Sequence, residues 1–442
     1  MKQLAKKVMP LSLIIALRFF GLFIVLSVLS QYALGLEYSN ATLAGLAVGG
    51  YAVTQAVLQT PFGVLSDKIG RKKTILIGLL IFITGSVVCA VSNNIYTLLL
   101  GRFLQGAGAI GSVITAMIAD LSKEEERAHA MAIMGMVIAM TFAVAMIAGP
   151  LMAGYLGVPS LFWLTGGLAA TALLILFTKV PEPPKIVHSY EEGEAKIKDV
   201  FKDKDLVRMY ITFLFHSSTM TMAFFIIPIL LRHKFGVDPT GFWKVYLPAV
   251  IFGVLAMGPA AVFGEKYSKG KEIFLLSIFF IMASFALMGF SHSFLLFGVG
   301  ATFFFIGFNM FEPLLQSFVA KFAKVHQKGT ALGVANTFSY IGIFLGGLFG
   351  GFIYGHYKEQ GLAIFVFALS LVWIWWIVGM RDPGHRQTLY IELSDKNREI
   401  FAKLKNIEGI ADHYINETEA LIVIKYDAHI TDEEKIKELF ER

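Results

Sequence analysis

The chain has 442 residues, of which 56% are hydrophobic and 16% charged, with a mean hydropathy of +0.66 and a formal net charge of +6. Two or three soluble domains of that total length would carry more charge, so the composition points to a membrane protein. The single cysteine, Cys89, excludes an intrachain disulfide and any cysteine-cluster metal site.

The amino terminus, "MKQLAKKVMP", leads into an apolar run that outlasts a signal-peptide core and lacks a small-residue cleavage site, so it is retained as a first helix. Apolar runs of about 20 residues, each able to cross about 30 Å of hydrocarbon, recur as far as Met380. The predicted spans are 10–34, 42–66, 74–93, 95–120, 128–154, 160–180, 206–232, 242–265, 272–290, 293–321, 329–355 and 361–380. Between the sixth and seventh, the polar linker 186–205 sets Ile197, Val200 and Phe201 at helical spacing, predicting an interfacial helix. Beyond Met380 the composition changes: residues 386–442 hold thirteen Asp and Glu against nine Lys and Arg, which marks a separate soluble domain. There "TLYIELS" alternates Leu389, Ile391 and Leu393 as a half-buried strand, and "NREIFAKLKNI" puts Ile400, Leu404 and Ile407 on one helical face. Strands at "ADHYINE" and "ALIVIKYD" follow, then a helix in "TDEEKIKELFER" opened by Thr431 with Glu434 three residues on. The order βαββα begins a ferredoxin-like unit. The fold class is therefore an all-α polytopic membrane protein. Its twelve transmembrane helices form two halves, 1–185 and 206–382, followed by a small α+β domain, 386–442.

The amino terminus and alternate loops hold 22 Lys and Arg, and the opposite loops hold four: Arg232, Lys234, Lys244 and Lys358. The positive-inside rule then puts both termini in the cytoplasm, with the chain in the cytoplasmic (inner) membrane. The halves repeat. A shift of 201 residues pairs Gly149 with Gly350 and Gly154 with Gly355; a shift of 198 pairs Asp67 with Glu265 and Lys73 with Lys271. Parallel six-helix repeats can rock about a midplane site, which favours a transporter over a receptor.

Three motifs carry a resemblance. "GVLSDKIGRKK" (Gly63, Asp67, Gly70, Arg71) resembles the signature loop between the second and third helices of the major facilitator superfamily. "GRFLQGAG" (Arg102, Gln105, Gly106, Gly108) resembles its fourth-helix motif, and "AGPLMAG" (Gly149, Pro150, Gly154) its fifth-helix antiporter motif, with Ala145 where a glycine is usual. The resemblance implies a proton-driven transporter of the drug:proton antiporter type. It also implies that Asp67 meets the amino end of the eleventh helix, near residue 328, in one of two access states, and that Arg71 lies near Asp120. A carboxylate at a helix amino end gains about 0.3 to 2 kcal/mol, enough to bias two states. Lys68, Lys72 and Lys73 fit a plain positive-inside anchor, a role to which Asp67 adds nothing.

Charges inside spans are costly, so Arg18, Arg102 and Glu312 are candidates for proton or substrate coupling; a fixed Arg-to-Glu lock between helices is the structural alternative. His216 either titrates or bonds two helices. Gln31, Gln105, Asn309, Gln316 and Asn336 either line a cavity or glue helices, and most of the forty phenylalanines are expected to face lipid. Gly342, Gly346 and Gly350 form a close-packing face, and Pro150 removes a helix hydrogen bond. The chain has no P-loop and no nucleic-acid pattern. No enzyme activity, metal or cofactor beyond coupling protons is expected. The expected partners are the lipid bilayer, a small-molecule substrate and protons, with a regulator or a second copy on the C-terminal domain. The expected function is export of small molecules in exchange for protons. Proton-coupled uptake of a metabolite and a nontransporting sensor are the alternatives.

Overall fold

The computed structural model describes all residues except 1, 123, 182–197, 325–326, 382–385, 395–396, 398–400, 402–403, 405–406, 408, 417–420, 428–429 and 442. Ile197, Ile400 and the linker stretch 186–197 lie outside the described residues. Of the expected interfacial helix, the described part holds one 3-10 turn, Asp199–Phe201, with Val200 buried.

The described residues form spans 1 to 10 at Val8–Leu34, Ala41–Ile69, Arg71–Ala90, Ile95–Leu121, His129–Leu156, Val158–Thr178, Lys204–His233, Pro239–Lys266, Gly270–Phe290 and Phe294–Phe322. The last helix, Lys328–Val378, leaves helical geometry at Lys358 (φ 57°, ψ −160°). It therefore makes two passes, span 11 (328–357) and span 12 (359–378), giving the twelve expected. Apolar side chains cover the outside: Leu174, Leu255, Leu295 and Trp375 are 66%, 64%, 75% and 73% exposed. In water that surface would drive aggregation, whereas in lipid it is the matching solvent, with backbone polar groups satisfied inside the helices.

Two spans are broken. Span 2 divides at Gly50 into Ala41–Gly49 and Tyr51–Ile69, and span 4 divides at 108–110 into Ile95–Ala107 and Gly111–Leu121. Both breaks sit inside the first half, where freed backbone groups find protein partners rather than lipid.

Backbone packs on backbone between the halves at one end. A Cβ on Gly45 (span 2) would stand 2.1 Å from the carbonyl oxygen of Gly347 (span 11), and one on Gly351 would stand 2.3 Å from that of Ala41. A Cβ on Gly154 (span 5) would come 2.4 Å from Thr240 at the start of span 8. At the other end, which carries the amino terminus and the Lys/Arg-rich loops, a Cβ on Gly135, Gly258, Gly329 or Gly333 would meet nothing within 4 Å. Spans 5, 8 and 11 thus splay apart toward this basic end and close at the far end. An aromatic plug fills the middle. Phe142 (span 5) stands 5.0 Å from Phe23, 5.9 Å from Phe224, and 6.3 Å from both Phe305 and Phe308, joining spans 1, 5, 7 and 10. These rings face the interior between the halves, not lipid.

The C-terminal domain is a three-stranded antiparallel sheet in the order β1-β3-β2: β1 Arg386–Glu392, β2 Ile410–Asn416 and β3 Leu421–Asp427, followed by the helix Glu433–Glu441. Leu389, Leu404, Ile424 and Ile436 make its core, with Ile391 and Leu393 packed against it. Lys425 of β3, 4% exposed, donates to the carbonyls of Ala320 (2.8 Å) and Ala323 (2.5 Å) at the carboxyl end of span 10. A cation on the unpaired carbonyls of a helix end is favourable, and here it ties the domain to the second half.

Candidate functional site

The opening between the halves shows in the side chains of spans 10 and 11. On one face of span 10, Phe305 and Asn309 are buried, but Glu312 and Gln316, continuing that face toward the basic end, are exposed. Gln316 donates to Asn336 of span 11 at 3.3 Å, a contact within the second half that lines the opening. One turn deeper on span 11, the Tyr340 hydroxyl accepts from Gln55 Nε2 of span 2 at 2.7 Å, and Gln55 Oε1 accepts from Arg18 Nη2 of span 1 at 3.1 Å. This polar track joins the two halves and ends on a buried cation. Glu312 lies one turn deeper than Gln316, as Tyr340 lies one turn deeper than Asn336, so carboxylate and hydroxyl share a layer.

Arg18 is fully buried, yet among the described residues its Nε and Nη1 have no hydrogen-bond partner. Its guanidinium lies 5.2 Å from the Phe82 ring and 5.8 Å from Phe19, a cation–π compensation of about 2 kcal/mol at most. Among the described residues it forms no ion pair, and neither does Glu312, so the Arg-to-Glu lock is not formed.

Arg102 and Gln105, expected at the cavity, are turned into the first half instead. Arg102 donates to the carbonyls of Ala47 (2.9 Å) and Val48 (3.3 Å) beside the break in span 2, and to Gln105 Oε1 (2.7 Å). Gln105 in turn donates to Ser86 of span 3 at 3.0 Å. The physical reason is the break itself: carbonyls released from helical pairing need donors, and a fork of fixed geometry serves two at once. Gly106 completes the clamp by admitting the Tyr51 carbonyl, which a Cβ would meet at 1.8 Å. His216 (span 7) is buried, with Nε2 3.2 Å from the Phe308 carbonyl and its ring stacked on Phe308 at 4.5 Å. Asn309 donates to Phe305 of its own helix at 2.8 Å, and Gln31 is half-buried with Oε1 unpartnered. None of these four, Gln105, His216, Asn309 or Gln31, belongs to the polar track. Helix Glu124–Leu156 runs unbroken through Pro150, and Gly149 lets the Ile24 carbonyl of span 1 approach to where a Cβ would be 2.1 Å away.

At the basic end, Gly70 takes φ +100°, a conformation costly for other residues, and so turns span 2 into span 3. Arg71 then gathers three oxygens: Asp67 Oδ1 at 2.6 Å, Ser66 Oγ at 2.5 Å and Asp120 Oδ2 of span 4 at 3.0 Å. Asp67 remains 64% exposed with Arg71 as its partner, and among the described residues it makes no ion pair to span 11; a Cβ on Gly63, one turn before it, would stand 4.0 Å from Ser112 Oγ. The second half mirrors the arrangement with charges exchanged. Glu265, the counterpart of Asp67, pairs with Lys321, which stands where Asp120 stands in the first half, and accepts from Ser317 at 2.5 Å. Ser268 replaces Gly70 and still takes φ +54°, a strain of about 1–2 kcal/mol for a residue with a Cβ. Among the described residues no cluster of three or more His, Cys, Asp or Glu is placed to hold a metal.

Two six-span halves closed at one end, open at the other and joined by a polar track between them define a multi-pass membrane transporter. The Major Facilitator Superfamily profile matches residues 11–347, and the chain belongs to that family. It is 34% identical over 434 residues to the inner membrane transport protein YajR of Escherichia coli strain K12, covering 97% of this chain and 95% of that one. It is 26% identical over 393 residues to the quinolone resistance protein NorA of Staphylococcus aureus, covering 87% and 98%. The nucleoside transporter NupG superposes with a TM-score of 0.66 at 16% identity, over 84% of this chain and 99% of that chain, a likeness of fold. The family does secondary transport and is not enzymatic.

Gln55, Tyr340 and the Phe142 plug escaped sequence reasoning. For Gln55 a signal existed: Thr54, Gln55 and Gln59 are polar within an apolar run. Tyr340 and Phe142 carry no local signal, because only the meeting of the two halves sets them apart.

Proposed function

We propose that this transporter extrudes small molecules across the cytoplasmic membrane in exchange for protons, with its basic end and both termini in the cytoplasm. The opening toward the basic end is then the inward-facing state. The observation that carries this reading is Glu312, an exposed carboxylate in that opening that forms no ion pair among the described residues, one turn from the Gln316–Asn336 contact. Such a group can take a proton in one access state and release it in the other, since its surroundings change from open cavity to closed interface. Asp67 and Arg71 bias the states: separation of spans 2 and 11 at the far end lets the basic ends meet and brings Asp67 to the amino end of span 11. The likeness to NorA and the Gly149–Pro150 pair support export. The C-terminal domain, tied to span 10 through Lys425, moves with the second half and offers a place for a regulator or a second copy. The test is flux in reconstituted vesicles under an imposed pH gradient. Glu312→Gln should uncouple substrate movement from proton movement, and retained coupling would refute the assignment.

A second reading, proton-coupled uptake of a small anionic metabolite, is favoured by Arg18, whose two unpartnered donors lie at the end of the track. It predicts substrate and protons moving in the same direction in the same vesicles.

A further inference from the structure

A second feature lies on the outer surface, where span 7 begins and span 12 ends. A groove of about 480 Å³ is lined there by Phe201, Lys204, Arg208, Trp375, Trp376 and Gly379, among others. Lys204 is the first residue of its helix and Val378 the last of its own, so the groove sits level with the span ends, the depth of lipid headgroups. We propose that this groove binds the headgroup of an anionic phospholipid.

Charge, donors and shape converge on that ligand. Lys204 and Arg208 are four residues apart and share a helix face. Among the described residues Lys204 makes no ion pair, so its ammonium is available to a phosphate. Arg208 is already positioned: its Nη1 donates to Asp205 at 2.8 Å, and its guanidinium packs against Gly379, where a Cβ would come 2.5 Å from Nη2. Asp205, 1% exposed, is shared with Arg381 at 2.6 Å, and Asp203 is spent on capping its own helix through the backbone N–H groups of Asp205 and Leu206. These five charged groups, Asp203, Lys204, Asp205, Arg208 and Arg381, sum to one positive charge, and both acids are engaged. The indole Nε1–H of Trp376 is buried with no hydrogen-bond partner among the described residues, a donor that a phosphate or glycerol oxygen satisfies. Trp375, 73% exposed, and Phe201, 42% exposed, give an acyl chain an aromatic wall beside the headgroup. Basic pockets between helices at the leaflet surface select anionic over zwitterionic lipids on these grounds.

The experiment is native mass spectrometry of the full-length protein released from detergent, with phosphatidylglycerol or phosphatidylethanolamine added at matched chain length. The expected result is one phosphatidylglycerol held at least about tenfold more tightly than phosphatidylethanolamine, the loss expected from one charge-assisted contact. Lys204→Glu should abolish that preference, and Trp376→Phe, which keeps the ring but not the N–H, should weaken phosphatidylglycerol several-fold with the zwitterionic lipid unchanged. Should Lys204→Glu fail to fold, the Trp376→Phe result decides. Equal retention of the two lipids by the wild type overturns the proposal, as does a preference untouched by Trp376→Phe. Displacement by soluble glycerol phosphate at the same concentration as the lipid also overturns it, in favour of a site for free phosphate esters.

Discussion

Gly45→Ala tests how the two halves are held together. The added methyl would fall 2.1 Å from the Gly347 carbonyl oxygen and 3.0 Å from the Gly351 backbone, neither of which can swing aside as a flexible side chain would. Spans 2 and 11 must part at the far end, while packing within each half is left intact. Overpacking of this kind costs about 1–3 kcal/mol, which changes the ratio of far-end-closed to far-end-open protein by about 5- to 150-fold. Spin labels at Tyr38, in the far-end turn after span 1, and Tyr357, at the far end of span 11, 72% and 68% exposed and in opposite halves, report the separation by electron–electron distance measurement. Cys89 is buried and stays out of reach of the label. Gly45→Ala should populate a longer distance that is minor in the parent. Gly333→Ala, whose methyl meets nothing within 4 Å, should not. Identical distributions in the two variants would refute the glycine-to-glycine seal.

Asp67→Asn keeps the shape of the loop but removes the charge that bridges to Arg71; cysteine accessibility should show a shifted balance of access states, by up to about 2 kcal/mol. Arg102→Leu deprives the Ala47 and Val48 carbonyls of their donor and should lower stability by about 3 kcal/mol, read as a fall in thermal unfolding temperature. Lys425→Ala removes the cation that seats on span 10, and hydrogen exchange at residues 320–323 should rise with the sheet of the C-terminal domain still protected.

Much of the architecture is legible in the chain. Apolar runs separated by charged turns predict the twelve spans closely, and the clustering of Lys and Arg in alternate loops separates the two ends, because each rests on a local property: length against hydrocarbon thickness, or charge against the membrane face. The Arg71 turn is legible for a similar reason, since Gly70 supplies a backbone conformation and Asp67 stands one helical turn before Arg71. Arg102 shows where such reasoning stops. Its sequence position cannot distinguish a cavity charge from a clamp, and the choice was made by the break at Gly50, whose freed carbonyls lie 54 and 55 residues away in the chain. The glycines of span 11 divide in the same way: Gly342 and Gly346 pack on span 7 within their half, whereas Gly347 and Gly351 pack on span 2 across the interface. Their spacing predicts close packing, and only the fold assigns each face its partner.

By itself, then, the sequence determines that this chain lives in a membrane, crosses it twelve times, repeats itself in two halves and carries C-terminal strands followed by a helix, since hydropathy, turn chemistry and periodicity act over a few residues. Tertiary structure alone decides which end is open, that Arg18, Gln55 and Tyr340 form one track, and that Phe142 plugs the interface. These depend on contacts between residues up to 285 positions apart, and side chains so distant are brought together by helix packing, not by any pattern in the chain between them.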